Sequence, residues 1–400
     1  MAGDHASNPE TPITQSIKIQ QLAETLAGQY GAASSREPGR PLGRDLSAYE
    51  NWLDEAHTFF RDASRKELTL TYASEWVLDN YYIIRQALRQ IDKDLSPGYY
   101  AQLPKLTSGP LKGFPRIYAI TQAVLSEQHL LVNTGDLQAI LVQIQQRVPL
   151  TMGELWATPI FLRYGLIEGL SHALQAALAR STQALAPVHL PETGPALPED
   201  ARQANTSAPN ANNNNNVAAN TVANSILSLR AISDQDWNDF FDDTSRVEQS
   251  LRQDPVDIYA QMDFKSRNLY RKEIEALALR LVPGDPGQAE NDLAESALEM
   301  AREGLRADGH GGLLADRRAH VGYYLLGEGR PAFETRIGYH PSGWAAFKRQ
   351  AGRRNTLLYL GGILLATALL VVLFALPGWR QMHHPAAAIG LALLLLVPAL

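Results

Sequence analysis

The sequence contains no cysteine. That excludes disulfides, thiolate metal centres and a cysteine nucleophile, and leaves the redox compartment open. Positive charge is not in excess either. The 36 Lys and Arg residues stand against 42 Asp and Glu, a net charge of −6. Generic nucleic-acid binding requires a basic face, so nucleic acid is not an expected partner. The first residues, MAGDHASNPETPITQ, lack the basic and apolar regions of a secretory signal. Few stretches alternate apolar and polar residues with a strand period. No phosphate loop, nucleophile elbow, dinucleotide fingerprint or H-E-x-x-H motif occurs.

What is present is helical periodicity and one long uncharged run. Aromatic residues make up 8% and charged residues 20%, so most of the chain can form packed cores, and its length suggests two or three domains. Thr356 to Leu376 reads TLLYLGGILLATALLVVLFAL. A helix of that length covers roughly 30 Å, the thickness of a bilayer hydrocarbon core. A second apolar run, residues 386–400, follows a short turn holding Trp379, Arg380, His383 and His384. It is short for a span and has no polar exit flank, so it reads as a second span cut short. Lys348, Arg349, Arg353 and Arg354 precede the first run. By the positive-inside rule they place residues 1–354 in the cytoplasm. The His383–His384 pair reads as a polar turn in preference to a metal site.

The expected fold is all-α: two cytosolic helical regions joined by a disordered linker, then a transmembrane hairpin. Residues 1–46 read as largely unstructured, with one short amphipathic helix from Ile17 to Tyr30. The first helical domain is 47–185. Ser47-Ala-Tyr-Glu50 has capping-box spacing, in which the two side chains satisfy exposed N–H groups reciprocally. Helices follow from about Ser74 to Asp94, Arg116 to Val132 and Asp136 to Arg147. A loop fills Pro97 to Pro115. Thr151-Met-Gly-Glu154, a second capping box, opens a helix reaching about Arg180. Residues 186–219 are rich in Pro and Asn, cannot bury enough surface to offset ordering, and read as a linker. The second region, 220–345, holds expected helices at 221–231, 234–252, 255–281 and 288–306. Ser233 and Asp254 read as caps, and Gly327 to Gly343 as a loop.

Several places could carry chemistry. The loop Ser108 to Arg116 could hold a phosphate through its backbone, Lys112 or Arg116, but a helix-connecting turn is the better reading. The aromatics Trp52, Phe59, Phe60, Tyr72, Trp76, Tyr81, Tyr82, Tyr99 and Tyr100 could stack on sugars; their helical spacing fits core. Asp54 and Glu55, and Asp236, Asp239, Asp242 and Asp243, could supply carboxylate pairs, but read as solvated helix faces. His310, Asp316 and His320 match no compact metal motif, and Arg317 and Arg318 disfavour a cation. No catalytic, cofactor-binding or metal-binding residue is therefore assigned.

Two stretches are less generic. One is Phe59–Ile91, continued by Gln102–Ile120 and Arg147–Leu170. The other is Asp236–Ala278, DWNDFFDDTSRVEQSLRQDPVDIYAQMDFKSRNLYRKEIEALA, followed by Ala319–Arg330, AHVGYYLLGEGR. Both resemble the N-terminal part of bacterial cyclic β-1,2-glucan synthases. The resemblance implies a large, multi-pass inner-membrane glucosyltransferase that uses UDP-glucose as donor, whose transferase and phosphorylase-like modules lie beyond these residues. It implies the lipid bilayer and a transferase module, in the same or a split polypeptide, as partners. No cofactor is expected in this chain. The alternative is a free-standing membrane-anchored scaffold without catalytic activity.

Overall fold

A computed structural model describes residues 12–179, 190, 211–281, 286–307, 317–340 and 360–368. Residues 1–337 form one compact unit and 338–400 another.

The first unit is helical. α1 (Pro12–Tyr30) leads to α2 (Gly43–Arg65), α3 (Tyr72–Asp94), α4 (Pro97–Gln102), α5 (Arg116–Glu127), α6 (Thr134–Gln145) and α7 (Met152–Ala179). Two-residue strands, β1 (Ala33–Ser34) and β2 (Lys105–Leu106), pair antiparallel with Ala33 opposite Leu106. α7 is buried on nearly every side, as a helix that is apolar all round must be. Gly165 lets α5 lie close against it, since a Cβ there would fall 2.5 Å from the Gln122 amide.

α1 extends well beyond the short helix expected in an unstructured N-terminus. Ala23, Leu26, Ala27 and Tyr30 are buried, and α1 packs on α6. Burial of that stripe is the physical reason the segment is ordered. The Ser47 capping box does not form. α2 opens four residues earlier, and Ser47 Oγ donates back to the Gly43 carbonyl at 3.1 Å. α3 is capped by Thr71, whose hydroxyl accepts from Ser74 N. Inside the expected loop at 97–115, Ser96 caps α4, with proline at its first position. α5 ends at Glu127, short of Val132, because His129 and Leu130 take left-handed backbone conformations.

α8 (Ala211–Asp234) begins inside the expected linker, so Asn212 to Asn216 belong to a helix. Its Val222, Ile226, Leu229 and Ile232 are buried at helical spacing. They pack on α7 and α3, so the first helix of the second region completes the bundle of the first. Other linker residues, except buried Leu190, lie outside the described ones.

Beyond α8 two of the expected helices are each split into shorter ones. α9 (Trp237–Thr244) and α10 (Arg246–Leu251) are divided at Ser245, which is extended and caps α10 through its hydroxyl. α11 (Ile258–Gln261) and α12 (Phe264–Leu281) replace one helix expected from 255; Asp257 at φ 55° delays the start of α11, and extended Met262 divides the two. α13 (Pro286–Ala307) packs on α10 and α12. α14 (Val321–Leu325) packs on α13 and α12. α15 (Arg330–Arg336) lies within the expected loop at 327–343. An i,i+4 pair from Arg330 to Glu334 and the buried ring of Phe333 account for it.

In the second unit, residues 360–368 are helical and mostly exposed. Among the described residues no helix is long and apolar enough to cross a membrane. The other residues of the expected spans at 356–376 and 386–400, with Trp379, His383 and His384, lie outside the described ones.

Candidate functional site

Four polar clusters account for most residues singled out from sequence. The first disposes of the anion loop. Arg116 is 1% exposed and faces inward. Its Nε donates to Glu154 Oε1 at 2.8 Å and its Nη2 to Oε2 at 2.6 Å. Nη2 also reaches the Pro149 carbonyl at 3.1 Å. Lys112 lies 3.4 Å from Glu37. The loop's cations are thus paired internally. Glu154 closes the second capping box as expected. Glu154 N donates to Thr151 Oγ1 at 3.0 Å, and Thr151 N donates to Glu154 Oε2 at 2.9 Å.

The second cluster holds one of the four acids from the α9 region. Asp242 and Glu248 are buried and meet three guanidinium groups. Arg252 bridges them at 2.9 Å each, and Arg267 contacts both. Arg271, 2% exposed, lies 3.4 Å from Asp242 and 3.3 Å from Glu248. Tyr259 donates its hydroxyl to Glu248 at 2.7 Å. Burial alone would raise the Glu248 carboxyl. The bonds from Tyr259 and Arg252 and the charges of Arg271 and Arg267 outweigh it and hold the carboxyl below its usual range. Arg271 lies over the rings of Phe264 and Phe241, at 4.5 and 5.0 Å. Phe241 stacks on Trp156 of α7 at 4.4 Å. This joint ties α9, α10 and α12 to the bundle. Asp236 instead caps α9, accepting from Asn238 N and Asp239 N, and Asp239 and Asp243 are exposed.

The third cluster joins residues that spacing did not connect. Asp254 is not a helix cap. Its carboxylate accepts from Val321 N at 2.9 Å, Ile258 N at 3.2 Å and Tyr259 N at 3.3 Å. It also meets His320 Nδ1 at 2.7 Å, and His320 Nε2 lies 3.0 Å from the Tyr270 hydroxyl. With the proton on Nδ1 directed at the carboxylate, Nε2 accepts from the phenol. Burial first, and then the charge of Asp254, raise the Tyr270 phenol, so it is a hydrogen-bond donor and not an activated nucleophile. A Cβ on Gly322 would fall 2.5 Å from His320 Nε2 and 2.6 Å from the Tyr270 hydroxyl, so only glycine leaves this relay room to close.

His320 and Tyr270 of the relay line a cleft of about 550 Å³ together with Ile258, Arg317, Tyr323, Leu326 and Glu328. The volume falls in the roughly 300–1,000 Å³ range of small-molecule sites. Gly329 sets the Tyr323 ring, since a Cβ there would fall 2.5 Å from it.

In the fourth cluster Tyr81 donates to Asp54, and His57 stacks on the Tyr81 ring at 3.9 Å. Asp54 and Glu55 line a separate acidic groove with Phe59, Asp62 and Leu68. Trp52, Phe60 and Tyr81 are core, whereas Tyr72 and Tyr82 are 61% and 60% exposed. Phe59, Trp76, Tyr99 and Tyr100 are half-buried. Tyr99 and Tyr100 donate to the carbonyls of Gly153 and Arg40. His310 and Asp316 lie outside the described residues. Among the described residues no group of three or more His, Asp or Glu side chains could hold a metal ion.

Fold and clusters together define an all-helical assembly, tied by buried charge pairs, that presents one polar–aromatic cleft. Comparison with known proteins gives its kinship. No family model matches the chain. The cyclic beta-(1,2)-glucan synthase NdvB of Rhizobium meliloti (strain 1021) is 28% identical over 360 residues. The match covers 77% of this chain and 12% of that relative's length. The chain is thus similar to part of a cyclic β-1,2-glucan synthase, in line with the resemblance carried by the quoted sequence blocks.

Proposed function

We propose that this chain is a non-catalytic helical region of a membrane-bound cyclic β-1,2-glucan synthase, supporting or regulating a UDP-glucose-dependent glucosyltransferase module. The observation that carries the reading is the extent of the match: most of this chain aligns with a small fraction of a named synthase. The chemistry of the described clusters agrees with it. Arg116, Glu154, Asp242, Glu248 and Asp254 satisfy one another and the backbone, which is the work of a support. The uncharged run at 356–376, with its basic flank, favours attachment to the bacterial inner membrane with residues 1–354 cytoplasmic.

Two measurements test this. The purified 400-residue chain, incubated with UDP-[¹⁴C]glucose, should release no UDP and form no labelled glucan. Membranes from the source cell should lose at least tenfold of their labelled β-1,2-glucan synthesis when residues 47–337 are deleted in frame. Turnover by the chain alone, or undiminished synthesis after the deletion, refutes the proposal. A free-standing scaffold predicts the second of these outcomes.

A further inference from the structure

The cleft beside the Asp254–His320–Tyr270 relay plays no part in that supporting role. Apart from Arg317, its lining comes from the two sequence blocks that carry the family resemblance in this half of the chain. Ile258 and Tyr270 come from one, and His320, Gly322, Tyr323 and Glu328 from the other. A joint between two segments needs only apolar contact, yet here the chain leaves an open cleft.

Its lining specifies a ligand chemistry. Tyrosine rings and the exposed side chains of Ile258 and Leu326 give apolar faces. Arg317 and Glu328 place donors and acceptors among them. Arg317 and Glu328 cancel in formal charge. A nucleotide diphosphate would need several cations or a cluster of N–H donors, and would meet the Glu328 carboxylate. A neutral polyol matches both halves of the wall: its C–H faces lie on rings, and its hydroxyls both donate and accept. The relay's internal bonds fix the His320 and Tyr270 rings of the wall before any ligand arrives. His320 is bonded at both nitrogens, and Tyr270 is 8% exposed. Such preorganisation lowers the ordering cost of binding.

We infer that this cleft binds a neutral saccharide chain, and that its ring-stacking residue is Tyr323. That the saccharide is a glucan rests on the proposed function; the preference for a neutral saccharide rests on the cleft alone.

Isothermal titration of the full 400-residue chain tests it, with β-1,2-linked glucose oligosaccharides, β-1,4-linked glucose oligosaccharides, mannose oligosaccharides and UDP-glucose as separate probes. The expected result is saturable binding of the β-1,2-linked chain, weakened at least tenfold by Tyr323→Ala and by Glu328→Gln. Glu328 is exposed, so its variant keeps the fold, and circular dichroism checks both. Tyr72→Ala, which removes an exposed ring elsewhere, should leave the affinity unchanged. Binding confined to mannose oligosaccharides and lost in Tyr323→Ala would keep the cleft and refute its glucan assignment. No binding of any neutral saccharide at 10 mM, tighter binding of UDP-glucose, or affinity unmoved by both cleft variants overturns the inference.

Discussion

The Arg116–Glu154 pair gives the sharpest test of how the bundle holds together. Both side chains are at most 1% exposed. Glu154 accepts from Arg116 Nε and Nη2, from Thr151 N and from Thr151 Oγ1. Removing the carboxylate takes away the bidentate partner of a buried guanidinium, whose Nη2 and Nη1 also reach the Pro149 oxygen at 3.1 Å and the Gly31 oxygen at 3.4 Å. Breaking a buried pair from one side costs about 3–5 kcal/mol. Glu154→Ala also loses the cap, about 1 kcal/mol more. With a urea m-value near 3 kcal/mol/M, Glu154→Gln should lower the unfolding midpoint by roughly 1–2 M. Removing both charges tells a different story. Arg116→Met with Glu154→Leu leaves no orphaned ion, so its cost should fall to about 1–2 kcal/mol, mostly the lost cap. Urea unfolding of the wild type, Arg116→Met, Glu154→Leu and the double variant, followed by circular dichroism at 222 nm, completes a double-mutant cycle. If the double variant is no more stable than Glu154→Gln, or Glu154→Gln costs under about 1 kcal/mol, the pair is not the node described.

Three further outcomes follow from the same geometry. Phe241→Ala removes the ring between Trp156 and Arg271 and should cost about 3–5 kcal/mol, with a shift in tryptophan emission; an unshifted spectrum and midpoint would count against the joint. Lys105 is 1% exposed, with Nζ donating to the Tyr100 and Ala101 carbonyls at 2.7 and 2.6 Å, and burial pushes its ammonium down to about 8. Above that value the unfolded chain binds more protons than the folded one, so the urea midpoint should rise as pH climbs from 8 towards 10, a slope that Lys105→Met should abolish. Burial raises the Glu275 carboxyl, slightly offset by Lys272. The folded state therefore favours its protonated form, giving stability that is present at low pH and lost as pH rises through the raised value. Glu275→Gln should raise the midpoint at pH 7 and leave it unchanged at pH 4; equal effects at both would show that its charge is immaterial.

The all-helical class and the longer helices were legible because periodicity is a local signal. α3, α6 and α7 lie within a few residues of their expected bounds, and the Thr151–Glu154 box forms as its spacing dictates. Errors arose where tertiary contacts overrule local pattern. α1 is ordered by burial of its stripe against α6, and α8 carries its asparagine run into a helix because Val222 to Ile232 pack on α7. Breaks at Ser245 and Met262 depend on single backbone conformations that hydrophobic spacing does not encode. The relay was not legible. Asp254 and His320 are 66 residues apart, and each alone resembles an ordinary cap or turn residue. Gly322 was the available hint, a glycine between His320 and Tyr323, but its meaning depends on a tyrosine hydroxyl from another helix.

The placement of the buried charges bears on what the unit does. Buried ion pairs add little net stability over well-packed apolar residues, because desolvation offsets most of their attraction. They do exclude alternative arrangements, since any slip leaves an unpaired charge. Here buried pairs join distant segments, Arg116 with Glu154 and Arg271 with Asp242 and Glu248, as do the Asp254–His320 hydrogen bond and the half-buried Arg330–Glu273 pair at 2.6 Å. Three of these four fix α12 or the Asp254 turn relative to its neighbours, and those elements frame the cleft. A support needing only rigidity could use leucine at each point. Polar nodes around this open cleft hold its walls in a single geometry, and a surface that must recognise a ligand needs that more than a spacer does.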